Sequence, residues 1–242
     1  MPDNQEKICL IIPCYNEEAR LDMDRFAAGP ASCSFLFVND GSTDRTAQVI
    51  RARPDQRIFL LDLPRNSGKA EAVRAGMLHA YRTPPLSESA WVGYWDADLA
   101  TPLSEAESFL RYCRLLEERV DSVWGSRVYR LGSSIQRSFL RHLAGRLFTT
   151  AAGFLLGLRS YDSQCGAKIF RRETVVTAFS EEFISRWLFD VELLMRLKHL
   201  HIVEYPLRYW RDIPGSKLRI VAMAPGVISD LLRIRRRYGR LQ

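Results

Sequence analysis

The chain has 242 residues, 47% of them hydrophobic and 26% charged, with five cysteines and a formal net charge of +7. That composition excludes a disordered, collagen-like or disulfide-stapled chain and suits one α/β domain with an appendage. No apolar run reaches the ~20 residues of a membrane span, and the polar start MPDNQEK lacks the basic-then-apolar pattern of a signal peptide.

Lys7–Pro13, KICLIIP, is a short apolar run ended by proline and predicts a first strand. Residues 16–28 read as loop and helix. Ser34–Val38, SFLFV, predicts a second strand running into NDGSTD, where Ser42 or Thr43 is placed to cap a helix over Asp44–Arg53. Arg57–Leu61 predicts a third strand, PRNSG a turn, and Lys69–Arg82 a helix. Trp91–Trp95 predicts a fourth strand, an aromatic core segment that ends in Asp96-Ala97-Asp98. Thr101-Pro102 opens a helix to about Arg119, and Asp121–Gly125 predicts a fifth strand.

Beyond residue 126 the rhythm changes. Residues 133–158 read as helical, Ala167–Phe170 as a strand and Arg186–Leu200 as a helix. HIVEYPLRYW reads as one or two strands, and Ala224–Tyr238 as a terminal helix. LFTTAAGFLLGL, residues 147–158, is too short to span a bilayer and reads as a buried or interfacial helix.

The βαβ alternation predicts a mostly parallel sheet with helices on both faces, whose ligands sit beyond the carboxyl ends of the strands. PCYNEE, NDGSTD, PRNSGK and DAD each follow a strand and therefore share that edge. Two acids one residue apart at a strand end face the same way. DAD reads either as a solvated turn or as a site for Mg²⁺ or Mn²⁺, hard ions that take oxygen ligands and here would need phosphate oxygens as well. No G-x-G-x-x-G or G-x-x-x-x-G-K-[ST] is present, which disfavours a nicotinamide or P-loop enzyme. The cysteines contain no CxxC pair, so a reducing cytoplasmic setting without a zinc site is expected.

Charge is distributed unevenly. Residues 1–126 carry 14 basic and 19 acidic residues, whereas residues 127–172 carry 9 and 1, and residues 206–242 carry 9 and 2. The two basic blocks suit phosphate in nucleotides or lipid headgroups, or form a merely solvated face. No zinc finger or aromatic RNA-binding signature supports nucleic acid.

IIPCYNEEARL, FVNDGSTDRT, NSGKAEAVRAGM and DADLATP resemble, in order, the motifs of glycosyltransferase family 2, which has the GT-A fold. GSRVY, QRSFLRHLAGRLF, DSQCGAKIF, RWLFDVELL and IPGSKL resemble the dolichyl-phosphate β-glucosyltransferases and their bacterial polyprenyl-phosphate relatives. The resemblance covers residues 7 to 238. It implies a single GT-A domain over residues 1–242, with a nucleotide-sugar half (1–126), an acceptor half (127–223) and a basic amphipathic helix (224–242). It also implies an inverting, metal-dependent transfer of glucose from UDP-glucose to a polyprenyl or dolichyl phosphate, at the cytoplasmic face of a membrane.

Residue roles follow from the same resemblance. Pro13, Tyr15 and Glu17 match the nucleoside loop, Asp40 the uracil-binding aspartate, and Gly68 and Lys69 the loop lining base and diphosphate. Asp96 matches the donor-side member of the DxD pair and Asp98 the metal ligand. Asn39 stands where aspartate is more usual. FISRW has Phe183 where processive synthases carry glutamine, which disfavours a processive enzyme. For the acceptor phosphate the expected cations are Arg127, Arg137, Arg141 and Lys168, with Ser163 and Gln164 as polar wall residues. Asp162, the one acid of its block, reads as the partner of a neighbouring arginine. Asp190 reads either as a sugar-orienting or basic catalytic group or as a helix-capping or salt-bridged carboxylate. Trp187 and Phe189 read as core. Val227, Leu231 and Ile234 with the terminal arginines read as a face for an anionic membrane. The rival readings are a related transferase with mannose, N-acetylglucosamine or a non-lipid acceptor, and a non-catalytic basic binding module.

Overall fold

A computed structural model describes residues 6–136, 145, 149–150, 152–213 and 224–239 of the chain. Short apolar runs form the strands β1 (Ile8–Cys14), β2 (Cys33–Asp40), β3 (Ile58–Leu63), β4 (Trp91–Trp95) and β5 (Ser122–Ser126). After them come β6 (Ser134–Gln136), β7 (Ala167–Arg171), β8 (Ile202–Pro206) and β9 (Tyr209–Arg211). Seven of these make one sheet in the order β3-β2-β1-β4-β7-β5-β8. All its pairings are parallel except those of β7, which runs antiparallel to both β4 and β5. β6 and β9 pair as a separate two-stranded ribbon.

The intervening chain forms α1 (Met23–Ala27), α2 (Thr46–Arg51), α3 (Lys69–Arg82) and α4 (Ser104–Leu115). It then forms α5 (Val175–Phe179), α6 (Phe189–Arg196) and α7 (Ala224–Tyr238). Strand residues alternate between two cores because successive side chains point to opposite faces. Ile8, Leu10 and Ile12 pack with Phe26 of α1, Ile50 of α2 and Phe109 of α4. Cys9 and Ile11 pack with Val73 and Met77 of α3, Phe179 of α5 and Leu193 of α6. Burial on both faces explains why β1 reads as a continuous apolar run rather than an alternating one. Each such fully buried side chain contributes about 1.5–3 kcal/mol.

Four expectations change. Ser42 and Thr43 do not cap α2: Ser42 Oγ accepts from Asn16 N–H, Thr43 N–H donates to Asn16 Oδ1, and no side chain caps that helix. Those bonds stitch the loops after β1 and β2 together. The segment 133–158 is not helical throughout, because residues 134–136 form β6. Within it, residues 145, 149–150 and 152–156 are helical, and the rest of 137–151 lies outside the described residues. Trp187 is 39% exposed rather than core, while Phe189 is buried as expected. Leu231 and Ile234 do not face a membrane: they are buried against Ala152, Leu188, Val191 and Met195, with Val227 packed on the same cluster. α7 is further fastened by Ser185 to Asp230, Arg237 to Glu181, and Tyr238 Oη to Glu192. β5 bonds to β7 and β8, so strands on either side of residue 126 belong to one sheet. No helix among the described residues is long and apolar enough to cross a membrane.

Candidate active site

The loops after β1, β2, β3 and β4 do share one edge, and hydrogen bonds lock them into a cleft. Asn16, at φ 52°, and Glu17 and Glu18 bond through their backbone N–H groups to Ser42 Oγ, Thr46 Oγ1 and Asp44 Oδ2, at 3.0, 2.9 and 3.1 Å. Glu17's carboxylate is taken by Arg20 at 2.6 Å. Tyr15 is 37% exposed at the edge of this loop, and Pro13 lies within β1. Asp40 is buried, and its two oxygens accept from Ser67 and Gly68 N–H, each at 2.8 Å. It therefore fixes the loop that delivers Lys69, whatever further bond its remaining lone pairs accept. Gly68, at φ +92°, makes the turn that starts α3 at Lys69, a backbone conformation that L side chains rarely adopt.

Asp96 stands at the centre. Its N–H donates to Gly166 O at 3.0 Å, continuing the β4–β7 register beyond Trp95↔Ala167. The carboxylate folds over Gly166, where a Cβ would lie 1.8 Å from Asp96 Oδ2. Only glycine leaves room for that carboxylate. On its other side, Lys69 Nζ sits 2.5 Å from Asp96 Oδ1, with 42% and 38% of the two side chains exposed. Burial lowers the Lys69 pKa, but Asp96, Asp190 and Asp98 outweigh it and hold the ammonium above its ordinary value. The turn beyond Asp96 is pinned by Leu99 N–H to Asp96 O, by Trp95 Nε1–H to Thr101 O at 2.8 Å, and by Arg211 N–H to Ala100 O. Asp98 accepts from Ala100 N–H at 3.0 Å. Burial, then repulsion from Asp96, raises its carboxyl pKa against the opposing pull of Ala100 N–H, Lys69 and Arg20.

Two nearby carboxylates destabilise each other until a cation joins them. Among the described residues no group of three or more His, Cys, Asp or Glu is arranged to hold a metal. The donor set is two hard oxygen ligands, which suits Mg²⁺ or Mn²⁺ completed by diphosphate and water rather than an all-protein cage.

The floor of the cleft is different. Lys168 is fully buried, with Nζ 2.5 Å from Asp190 Oδ1, 2.7 Å from Cys165 O, and over the rings of Tyr94 and Trp124. Tyr94 Oη–H donates to Asp190 as well, and burial followed by Asp190's charge keeps that phenol protonated. Lys168 thus does not face an acceptor phosphate: its ammonium is consumed in neutralising Asp190. Asp190 is salt-bridged to Lys168 and accepts from Tyr94 Oη–H. Arg127 is also committed, gripping Asp162 through Nε and Nη2 at 2.5 and 2.7 Å and stacking over Trp210. That is the arginine partner expected for Asp162, and it leaves Arg127 mostly buried rather than presented to phosphate. Ser163 is buried and Gln164 half-buried in the loop before β7. Arg137 and Arg141 lie outside the described residues.

Sequence reasoning missed Gly166, Tyr94 and Arg186. Gly166 gains its meaning only from an antiparallel β7 beside β4, which the strand pattern does not disclose. Arg186 is exposed with its Cδ 3.4 Å from where a Cβ on Gly68 would be, so it overhangs the start of α3. The signal for it is the arginine of FISRW, directly before Trp187.

A parallel sheet with one antiparallel insertion and an acidic pair at the strand-end cleft defines a GT-A transferase fold. Solved structures agree: glucosyl-3-phosphoglycerate synthase from Mycobacterium tuberculosis, in complex with Mn²⁺, UDP and glucosyl-3-phosphoglycerate, superposes with TM-score 0.64 at 22% identity, covering 95% of this chain and 80% of that one. Residues 9–177 match the profile of glycosyl transferase family 2. A dolichyl-phosphate beta-glucosyltransferase of Trichomonas vaginalis is 33% identical over 253 residues, 95% of this chain and 73% of the relative. The human protein of that name is 32% identical over 254 residues, 96% and 76% of the two chains. The chain belongs to glycosyltransferase family 2 and is a glycosyltransferase.

Proposed function

We propose that the chain transfers glucose from UDP-glucose, with inversion, to a polyprenyl or dolichyl phosphate. The observation that carries this reading is the identity, 32–33% over nearly the whole chain, with relatives named dolichyl-phosphate beta-glucosyltransferases. The cleft supports it. Tyr15, with the backbone of the loops after β1 and β3, takes the nucleoside. Asp96 and Asp98 would hold Mg²⁺ or Mn²⁺ together with the diphosphate, and the ion would supply Lewis-acid neutralisation of the leaving group. Lys69 and Arg186 contribute positive charge to the same leaving group.

The acceptor phosphate needs no strong base, because its second pKa of about 6 leaves its oxygen nucleophilic at neutral pH. That fits Asp190, whose carboxylate is already matched by Lys168 and Tyr94 and is suited to orienting a sugar hydroxyl rather than taking a proton. Arg137 and Arg141 are the remaining arginines proposed for the acceptor phosphate. Contact with a membrane falls to residues that the protein body leaves open: Phe154, Ile228 and Leu232, with Arg235 and Arg236 of α7. These replace the buried Leu231 and Ile234.

The test is transfer of labelled sugar from UDP-glucose, UDP-N-acetylglucosamine and GDP-mannose to a short polyprenyl phosphate, with Mn²⁺ or with chelator. Glucose transfer to lipid, lost with chelator and in Asp98→Ala, is the expected result. Transfer only to a water-soluble phosphate acceptor sinks the lipid assignment.

A further inference from the structure

The acids of the cleft are unequally provided with cations. Asp190 has its own lysine in Lys168. Arg20, whose charge also lowers the Asp98 carboxyl pKa, is paired with Glu17. Among the described residues, Lys69 is the cation paired with Asp96, its ammonium touching Oδ1 at 2.5 Å, and its field also reaches Asp98. A divalent ion needs that same carboxylate, and it would meet an ammonium already on it. Like charges at that separation repel, so the ammonium and a divalent ion compete for Asp96 unless an anion comes between them.

We propose that Lys69 is the resident cation of the metal-free cleft, occupying the Asp96 position until a metal-bound diphosphate displaces it. The proposal rests on the metal–nucleotide reading above. Three observations make the exchange feasible. The pair is partly exposed, with 42% and 38% of its side chains reached by water, so both charges can be hydrated when it breaks. Lys69 is the first residue of α3, held by Gly68 at a fixed point, with a flexible four-carbon stem to swing. The described residues supply no third protein ligand to make a metal-only site competitive. A diphosphate changes the balance twice over: it gives the ion further oxygen ligands and gives the displaced ammonium a new partner. Metal alone then binds weakly, metal with nucleotide binds well, and the aspartates are never left without a counter-charge between turnovers.

The test reads free Mn²⁺ by electron paramagnetic resonance while Mn²⁺ is added to wild type, Lys69→Met and Lys69→Arg, each with and without UDP. Without UDP, Lys69→Met is expected to bind Mn²⁺ about fivefold more tightly than wild type, the size of one solvent-exposed ion pair removed. UDP should tighten Mn²⁺ binding less in Lys69→Met than in wild type, and Lys69→Arg should keep the wild-type pattern. If Lys69→Met binds Mn²⁺ no better than wild type while UDP still promotes binding in wild type, the exchange is overturned and the metal–nucleotide reading stands. If no variant binds Mn²⁺ with or without UDP, both fall.

Discussion

The mouth and the floor of the cleft each hold a lysine–aspartate pair of the same 2.5 Å length, in opposite surroundings. Lys69–Asp96 has 42% and 38% of its side chains exposed; Lys168–Asp190 has 0% and 9%. At the mouth, water screens each charge and either partner can change allegiance. On the floor, each charge depends on the other, because an unpaired ion there has lost its solvent. Identical contacts thus serve opposite ends, exchange above and rigidity below.

The largest expected effect breaks the lower pair. Lys168→Ala leaves Asp190 buried with Tyr94 as its remaining side-chain partner and should lower unfolding free energy in urea by about 3–5 kcal/mol. Lys69→Met, by contrast, should change it by about 1 kcal/mol or less. Equal losses in the two variants would erase the contrast. A second experiment disturbs the mouth alone. Gly166→Ala places a methyl group on Asp96's carboxylate, and displacing that group should cost about 10²-fold in kcat/KM for the sugar donor. Its melting temperature should fall far less than that of Lys168→Ala. Should donor kinetics survive, Asp96 is not where the donor is held.

The smallest effect asks whether desolvation governs other groups of the interior in the same way. Burial pushes the thiols of Cys9 and Cys33 up to about 12 and that of Cys165 to about 11, from an ordinary 9.0. Between pH 9 and those values the unfolded chain has released protons that the native protein keeps. Stability from these groups is complete below about pH 9 and declines as pH rises toward 12. At pH 8, iodoacetamide should label the native protein slowly, and Cys113, which is only half-buried, should react first in a mass-spectrometric time course.

The extent to which the site was legible depended on how local its chemistry is. Lys69–Arg82 and Trp91–Trp95 have the bounds the sequence predicts, because a helical period after Gly68 and an aromatic run before DAD are local signals. The shared edge of four loops followed from strand alternation alone. The partner of a charge was harder to read. Lys168 and Arg127 stood in a basic block and invited a phosphate reading, yet each is buried against an acid, 22 and 35 residues distant. Net charge along the chain does not report which charges cancel in space. The amphipathic α7 misled in a similar way: an apolar face predicts burial, but not whether protein or lipid provides it.

The antiparallel strand β7 carries a consequence for how the chain is made. β4 and β5 are consecutive in sequence, yet each bonds to β7 and not to the other. As the polypeptide leaves the ribosome, the four strands β3, β2, β1 and β4 can assemble early, but β5 has no place until residue 171 has emerged. The nascent sheet therefore ends on the exposed edge of β4, the strand that carries DAD, until β7 emerges to join it to β5, with β8 added later still. A fragment ending at Ser126 would keep that unpaired edge permanently. It should associate with other copies of itself rather than survive as a free nucleotide-binding half.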